Sequence, residues 1–246
     1  MKMNIKGNSV NYICYGNEKG KDIILLHGWG QNIEMMKFIG DRLSSDFHIT
    51  ILDFPGFGNS EEPKEAYSND DYVEVVEELA KELKLKNPIL IGHSFGGRIA
   101  IKYSSKKENN VSKVVLFGAP CIREQKKLPL KTRIFKKIKK IPGLKWLAEI
   151  MKNYIGSRDY KAASPIMRQV LVKTVNEDLL ENAKKITAPT LLIWGDNDTE
   201  APLYLAEKAE KQMKDAALIV LPGTHYAYLE NLDQVIRILN SFLGVK

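Results

Sequence analysis

Short, nearly continuous apolar runs recur along the chain, at residues 23–26, 49–52, 89–91, 114–117, 190–194 and 218–221. In turn they are closed by His27-Gly28, Asp53, Gly92, Gly118, Gly195 and Pro222-Gly223. Runs of this length between turn formers predict strands covered on both faces. Segments of helical period lie between them. Tyr72, Val75, Val76, Leu79 and Leu83 form one apolar stripe, with Ser68 or Asn69 as N-cap and Asp70 and Asp71 in the first turn. Val235, Ile236, Leu239 and Phe242 form another near the C-terminus. This alternation predicts βαβ units and an α/β fold: a mostly parallel central sheet flanked by helices. In such sheets functional groups gather beyond the carboxyl ends of the strands, which singles out the residues that close each run.

The alternation stops between Cys121 and about Ala188. Leu130, Ile134, Ile138 and Ile141 share one helical stripe, and Pro142-Gly143 interrupts it. Leu144, Leu147, Ile150 or Met151, and Tyr154 resume it, and further helical segments follow near 164–175 and 177–184. The pattern predicts a core of residues 1–120 and 189–246, with a helical insertion at 121–188.

Composition narrows the class. A chain of 246 residues with 44% hydrophobic and 27% charged residues is ordinary for one globular domain with an insertion. Cys14 and Cys121 are too few for a disulfide framework, and their spacing matches no metal motif. No apolar run is long enough to span a membrane, and residues 1–12 lack the apolar stretch of a signal peptide, so a cytoplasmic setting is expected. The net charge of +7 is unevenly spread. Residues 121–161 hold thirteen Lys+Arg against three Asp+Glu, a net +10, which leaves the rest of the chain at −3.

The chemistry lies at the run ends. Gly92-His93-Ser94-Phe95-Gly96-Gly97 is G-x-S-x-G between a strand pattern and a helix pattern. A strand turning directly into a helix holds its middle residue on a tight bend, and the flanking glycines give the bend room. Ser94 is thereby exposed at the helix N-terminus, where the backbone N–H of Phe95 faces a developing oxyanion. A serine hydroxyl needs a base. Of the four histidines, His48 starts a strand without a companion motif. His27 precedes a glycine loop, and His93 adjoins the serine and points elsewhere. His225 follows the last run in a loop at the correct sheet edge and is the best base. That base needs a buried acceptor to fix its tautomer, and the loop Gly195-Asp196-Asn197-Asp198-Thr199-Glu200 crowds three acids after its strand. Either Asp196 or Asp198 preserves the chain order Ser, Asp, His. The other loop where an acid could sit, Gly118-Ala119-Pro120, holds no carboxylate.

Taken together, Leu26-His27-Gly28-Trp29-Gly30, the turn Asp53-Phe54-Pro55-Gly56-Phe57-Gly58-Asn59-Ser60, the serine motif, Trp194-Gly195-Asp196-Asn197-Asp198 and Gly223-Thr224-His225 resemble the α/β-hydrolase fold superfamily over nearly the whole chain. The resemblance implies that a W-G-x-x-D pattern selects Asp198 over Asp196. It implies an oxyanion hole from the backbone N–H groups of Phe95 and Trp29, with His27 and Gly28 organising that loop and Gly92 and Gly96 the serine bend. Asp53 to Ser60 becomes a structural turn beside the site. Glu230 either secures the histidine loop or starts the last helix, without a catalytic role. The insertion takes the place of the family's cap, or lid. Residues 27–32, 43–45 and 53–58 also resemble the N-terminal part of the pimeloyl-carrier-protein methyl ester esterases.

The function expected from this set is a serine hydrolase that cleaves a small-molecule or acyl-chain ester, or a thioester, through an acyl-enzyme, with no metal or organic cofactor. C–C bond hydrolase, aminopeptidase and perhydrolase chemistry would use the same triad. A non-catalytic binding protein usually lacks a triad residue, and all three are present here. The basic insertion fits a solvated helix face, an anionic membrane surface or an acidic carrier protein. No base-stacking motif accompanies it, which argues against nucleic acid.

Overall fold

The computed structural model describes residues 1–123 and 157–245. Its centre is an eight-stranded sheet: β1 (Lys2–Ile5), β2 (Asn8–Gly16), β3 (Lys21–Leu26), β4 (Phe47–Leu52), β5 (Ile89–His93), β6 (Lys113–Phe117), β7 (Thr190–Gly195) and β8 (Ala216–Leu221), in the order β1-β2-β4-β3-β5-β6-β7-β8. The strands from β4 to β8 in that order pair parallel, whereas β1 and β2 are antiparallel additions at one edge. Each predicted run lies in a parallel strand. The β1–β2 hairpin is a finding beyond the sequence reading. Its two-residue turn, Lys6-Gly7, has positive φ at both positions, as a tight hairpin that follows the sheet twist requires.

Successive residues of a strand point to opposite faces, so one apolar run supplies two cores. Ile24, Leu26, Leu90, Val114 and Leu116 pack against α2 (Asn69–Glu82) and α3 (Phe95–Ser104). Ile23, Leu25, Ile89, Ile91, Val115 and Phe117 pack against α1 (Ile33–Leu43) and, from the chain's end, α9 (Leu232–Leu243). Most of these side chains are fully buried, at about 1.5–3 kcal/mol each. The N-cap of α2 is Ser68. Its hydroxyl accepts from Asp71 N–H while the Asp71 carboxylate accepts from Ser68 N–H, a closed capping box. One expectation needs correcting. The run at 218–221 is not covered on both faces, because β8 is the sheet's edge strand and leaves Val220 exposed.

Between β6 and β7 the described residues form α4 (Arg158–Ala162), α5 (Pro165–Asn176) and α6 (Leu180–Ala183). The helical segment expected at 177–184 is shorter, since Glu177 is the extended residue that ends α5. The stripes predicted from Leu130 to Tyr154, and most of the basic stretch, lie outside the described residues. After β7 come α7 (Leu203–Glu210) and then, beyond β8, α8 (Ala227–Glu230). Among the described residues no helix is long and apolar enough to cross a membrane.

Candidate active site

Ser94 joins β5 to α3 with φ 49° and ψ −111°, outside the regions an ordinary side chain prefers. The bend persists because its neighbours leave no alternative. A Cβ on Gly96 would lie 2.2 Å from the Leu26 carbonyl oxygen, and one on Gly92 2.7 Å from Gly96. Glycine at both sites lets α3 start against the sheet, so Ser94 opens into a cavity of about 900 Å³. Trp29, Phe95, Glu200 and His225 share its lining, and so do Ser157, Arg158 and Asp159, where the chain enters α4.

His225 reaches this cavity from the loop between β8 and α8. Its Nδ1 lies 2.7 Å from Asp198 Oδ2, and both groups are buried. The other Asp198 oxygen accepts the N–H groups of Glu200 at 2.9 Å and Ala201 at 2.8 Å. This leaves the carboxylate fixed and aimed at the ring. Asp196 instead faces outward, accepting Gly223 N–H at 2.9 Å and the Asn197 amide at 2.7 Å. Glu230 lies in α8 and accepts both Thr224 N–H and the Thr224 hydroxyl, which pins the loop before His225.

The other histidines have different company. The Nδ1–H of His27 donates to the Gly28 carbonyl at 2.7 Å, and its Nε2 accepts Phe54 N–H at 3.0 Å. The neutral ring is thus saturated and ties the Trp29 loop to the turn after β4. Burial pushes it down to about 4. His93 is held down to about 3 by burial first and by the nearby His225 ring second. Its Nε2 lies 3.1 Å from the His225 carbonyl oxygen and its Nδ1 3.2 Å from Gln31 Oε1. Both partners are acceptors, so a neutral ring with one N–H satisfies only one at a time. His48 pairs with Asp22 at 2.9 Å on the sheet, away from the cavity.

The sequence matches the family model for the alpha/beta hydrolase fold over residues 22–139. An AB hydrolase superfamily protein of Bacillus subtilis is 28% identical over 91% of each chain. A pimeloyl-[acyl-carrier protein] methyl ester esterase of Aliivibrio fischeri is 23% identical over 92% of this chain and 95% of that protein. Among solved structures, an esterase from Exiguobacterium antarcticum superposes with a TM-score of 0.78 at 25% identity, covering 99% of this chain and 98% of its own.

The chain has the α/β-hydrolase fold.

The likeness to the pimeloyl esterase runs along 92% of this chain rather than its N-terminal motifs alone. The sequence reading missed three residues of the site. Gly118 has φ 51°, and a Cβ there would sit 3.0 Å from His225 Nδ1 and 3.3 Å from Asp198 Oδ2, so a side chain there would be strained and would crowd that pair. The clue was the glycine closing the run at 114–117. Arg98 is buried where the chain leaves and re-enters the core, and it donates to the carbonyls of Pro120, Thr174 and Glu177. Two of those belong to the C-terminal end of α5, where unpaired carbonyls attract a cation. His93 buttresses the loop of His225 through a contact 132 residues away, which no local pattern announces.

Proposed function

We propose that this hydrolase cleaves a carboxylic ester or thioester through an acyl-enzyme on Ser94, with His225 as base and Asp198 as its partner. One observation carries the reading: the buried 2.7 Å contact between His225 Nδ1 and Asp198 Oδ2, with His225 and Ser94 lining the same cavity. Asp198 holds the Nδ1–H tautomer, so Nε2 is free to take the Ser94 proton. Ser94 Oγ attacks the substrate carbonyl carbon, and the oxyanion is received by the backbone N–H groups of Phe95 and Trp29. The tetrahedral intermediate collapses, Nε2 returns its proton to the leaving oxygen or sulfur, and water repeats the sequence on the acyl-enzyme.

Residues 121–188 serve as the cap over this site. Support comes from the part that is described, where Ser157, Arg158, Leu171 and Val175 contribute to the cavity wall. Its basic stretch suits an acidic carrier or an anionic surface that presents the acyl group, and the name of the Aliivibrio fischeri relative supports the carrier. A fluorophosphonate probe should label wild type and fail to label Ser94→Ala, with ester hydrolysis lost in parallel. Labelling that persists in the alanine variant removes Ser94 as nucleophile.

A further inference from the structure

The cavity contains a carboxylate that the proton-transfer scheme does not use. Glu200 Oε2 lies 3.7 Å from His225 Nε2, the ring nitrogen opposite the one held by Asp198. Its backbone N–H is bonded to Asp198 Oδ1, so the loop that fixes the acid also fixes Glu200 beside the base. Among the described residues no lysine or arginine pairs with its carboxylate. The side chain is 65% exposed, so it faces both the ring and the cavity's solvent.

Position decides what such a charge can sense. If His225 is the base, Nε2 must come within about 3 Å of the leaving oxygen to return its proton. The leaving oxygen then lies within about 7 Å of the Glu200 carboxylate, a span that a charge two carbons along the leaving group can shorten. The acyl portion departs from the reacting carbon on the other side. We infer that Glu200 is a specificity-determining residue for the leaving group: it favours esters of alcohols that carry a cationic centre near the oxygen, and disfavours anionic ones. The inference rests on the reading of Ser94 and His225 given above.

The magnitude follows from exposure. Two unit charges about 5 Å apart interact weakly when water screens them, so an exposed carboxylate discriminates by about fivefold to tenfold rather than by orders of magnitude. Other charged groups face the same cavity. Arg98 is committed to three carbonyls, whereas Arg158 and Asp159 stand near each other on α4 with opposite sign. If Arg158 governed the leaving-group side, the preference would reverse.

The test uses three esters of one short acyl acid. Their alcohols are 2-(trimethylammonio)ethanol, its uncharged isostere 3,3-dimethylbutanol, and an anionic hydroxyalkanesulfonate. The readout is the ratio of kcat/KM values within each variant at low ionic strength, which cancels any change in overall rate. Wild type should prefer the cationic ester over its isostere by about fivefold to tenfold. Glu200→Gln should bring that ratio close to one, and Glu200→Lys should turn it toward the anionic ester. A wild-type ratio near one, a preference for the anionic ester, or a ratio that survives Glu200→Gln overturns the inference. Ser94→Ala keeps the two readings apart. If it retains hydrolysis of all three esters, the nucleophile is wrong. If it is silent and the ratios do not move, Ser94 stands and Glu200 does not select.

Discussion

His27 and His93 make the fold sensitive to mild acid in a window where carboxylates hardly titrate. Burial holds the first down to about 4 and the second down to about 3, against an ordinary value near 6.5. In the unfolded chain both rings take up protons below about pH 6.5, while in the folded chain they remain neutral. The unfolded state therefore binds more protons, so stability is complete above pH 6.5 and falls as the pH drops toward 4. At 1.36 kcal/mol per unit for each ring, lowering the pH from 7.5 to 5.0 removes about 2 kcal/mol per histidine and about 4 kcal/mol in all. Asp71, held down to about 2 with Lys6 and the Ser68 cap as its partners, adds its own loss only below about pH 4.

Urea unfolding at pH 7.5, 6.5, 5.5 and 5.0 would measure this. With a slope of about 3 kcal/mol per molar urea, the midpoint should fall by about 1.3 M across the series. His93→Gln removes one of the two titrating rings, so its midpoint should fall by only half as much, whatever its stability at pH 7.5. A wild-type midpoint that moves by less than about 0.4 M would refute the claim that both rings are buried and neutral. So would a variant whose pH dependence matches wild type.

Asp198→Asn should lower kcat about a thousandfold or more, because an amide cannot stabilise the imidazolium, while Asp196→Asn should stay within about threefold. Steady-state kinetics on one ester would rank the two, and the opposite order would transfer the role to Asp196. Gly118→Val puts a branched side chain against the His225–Asp198 pair at a positive φ, so kcat should fall at least about tenfold and thermal stability by about 1–3 kcal/mol. Full activity in that variant would mean that the pair tolerates displacement. Arg98→Met leaves the carbonyls of Pro120 and Glu177 without their Arg98 donor and Thr174 with Asn69 alone, and should cost about 3 kcal/mol in chemical unfolding. A loss below about 1 kcal/mol would show that the crossing between core and insertion does not depend on it.

The parts of the fold that were legible in the sequence are those where one local pattern has one physical solution. A short apolar run closed by a turn former predicts burial on both sides, and the inner strands β3, β5, β6 and β7 meet that expectation where the edge strand β8 does not. The hairpin β1–β2 escaped because its residues alternate with Asn, Ser and Lys. One face of an edge pair stays wet, so it never forms a run. Helix α1 has a readable stripe in Ile33, Met36, Ile39 and Leu43 behind an Asn32 cap. Gly40 and the exposed Phe38 blur it. Gly40 is there for tertiary reasons, since a Cβ would meet the Tyr15 hydroxyl at 2.4 Å. Ser94 was legible because a strand-to-helix bend around a serine is a local event. Gly118, Arg98 and Glu200 owe their places to partners far along the chain or to the depth of the cavity.

The histidines show why residue type and burial together still fall short of a role. His27, His93 and His225 all sit at or just beyond strand ends, and all are nearly inaccessible, at 0%, 1% and 7% exposure. Burial alone therefore does not tell them apart. Their partners differ. His27 is met by a carbonyl and a backbone N–H, and His93 by a carbonyl and an amide oxygen, which are dipoles that orient a ring without offsetting a full charge. His225 is met by a carboxylate that is itself fixed by two backbone N–H groups. A ring that must accept a proton and hold it through a reaction needs that counter-charge. The first two rings therefore brace the loops of Trp29 and His225, and the proposed function assigns the proton to the third.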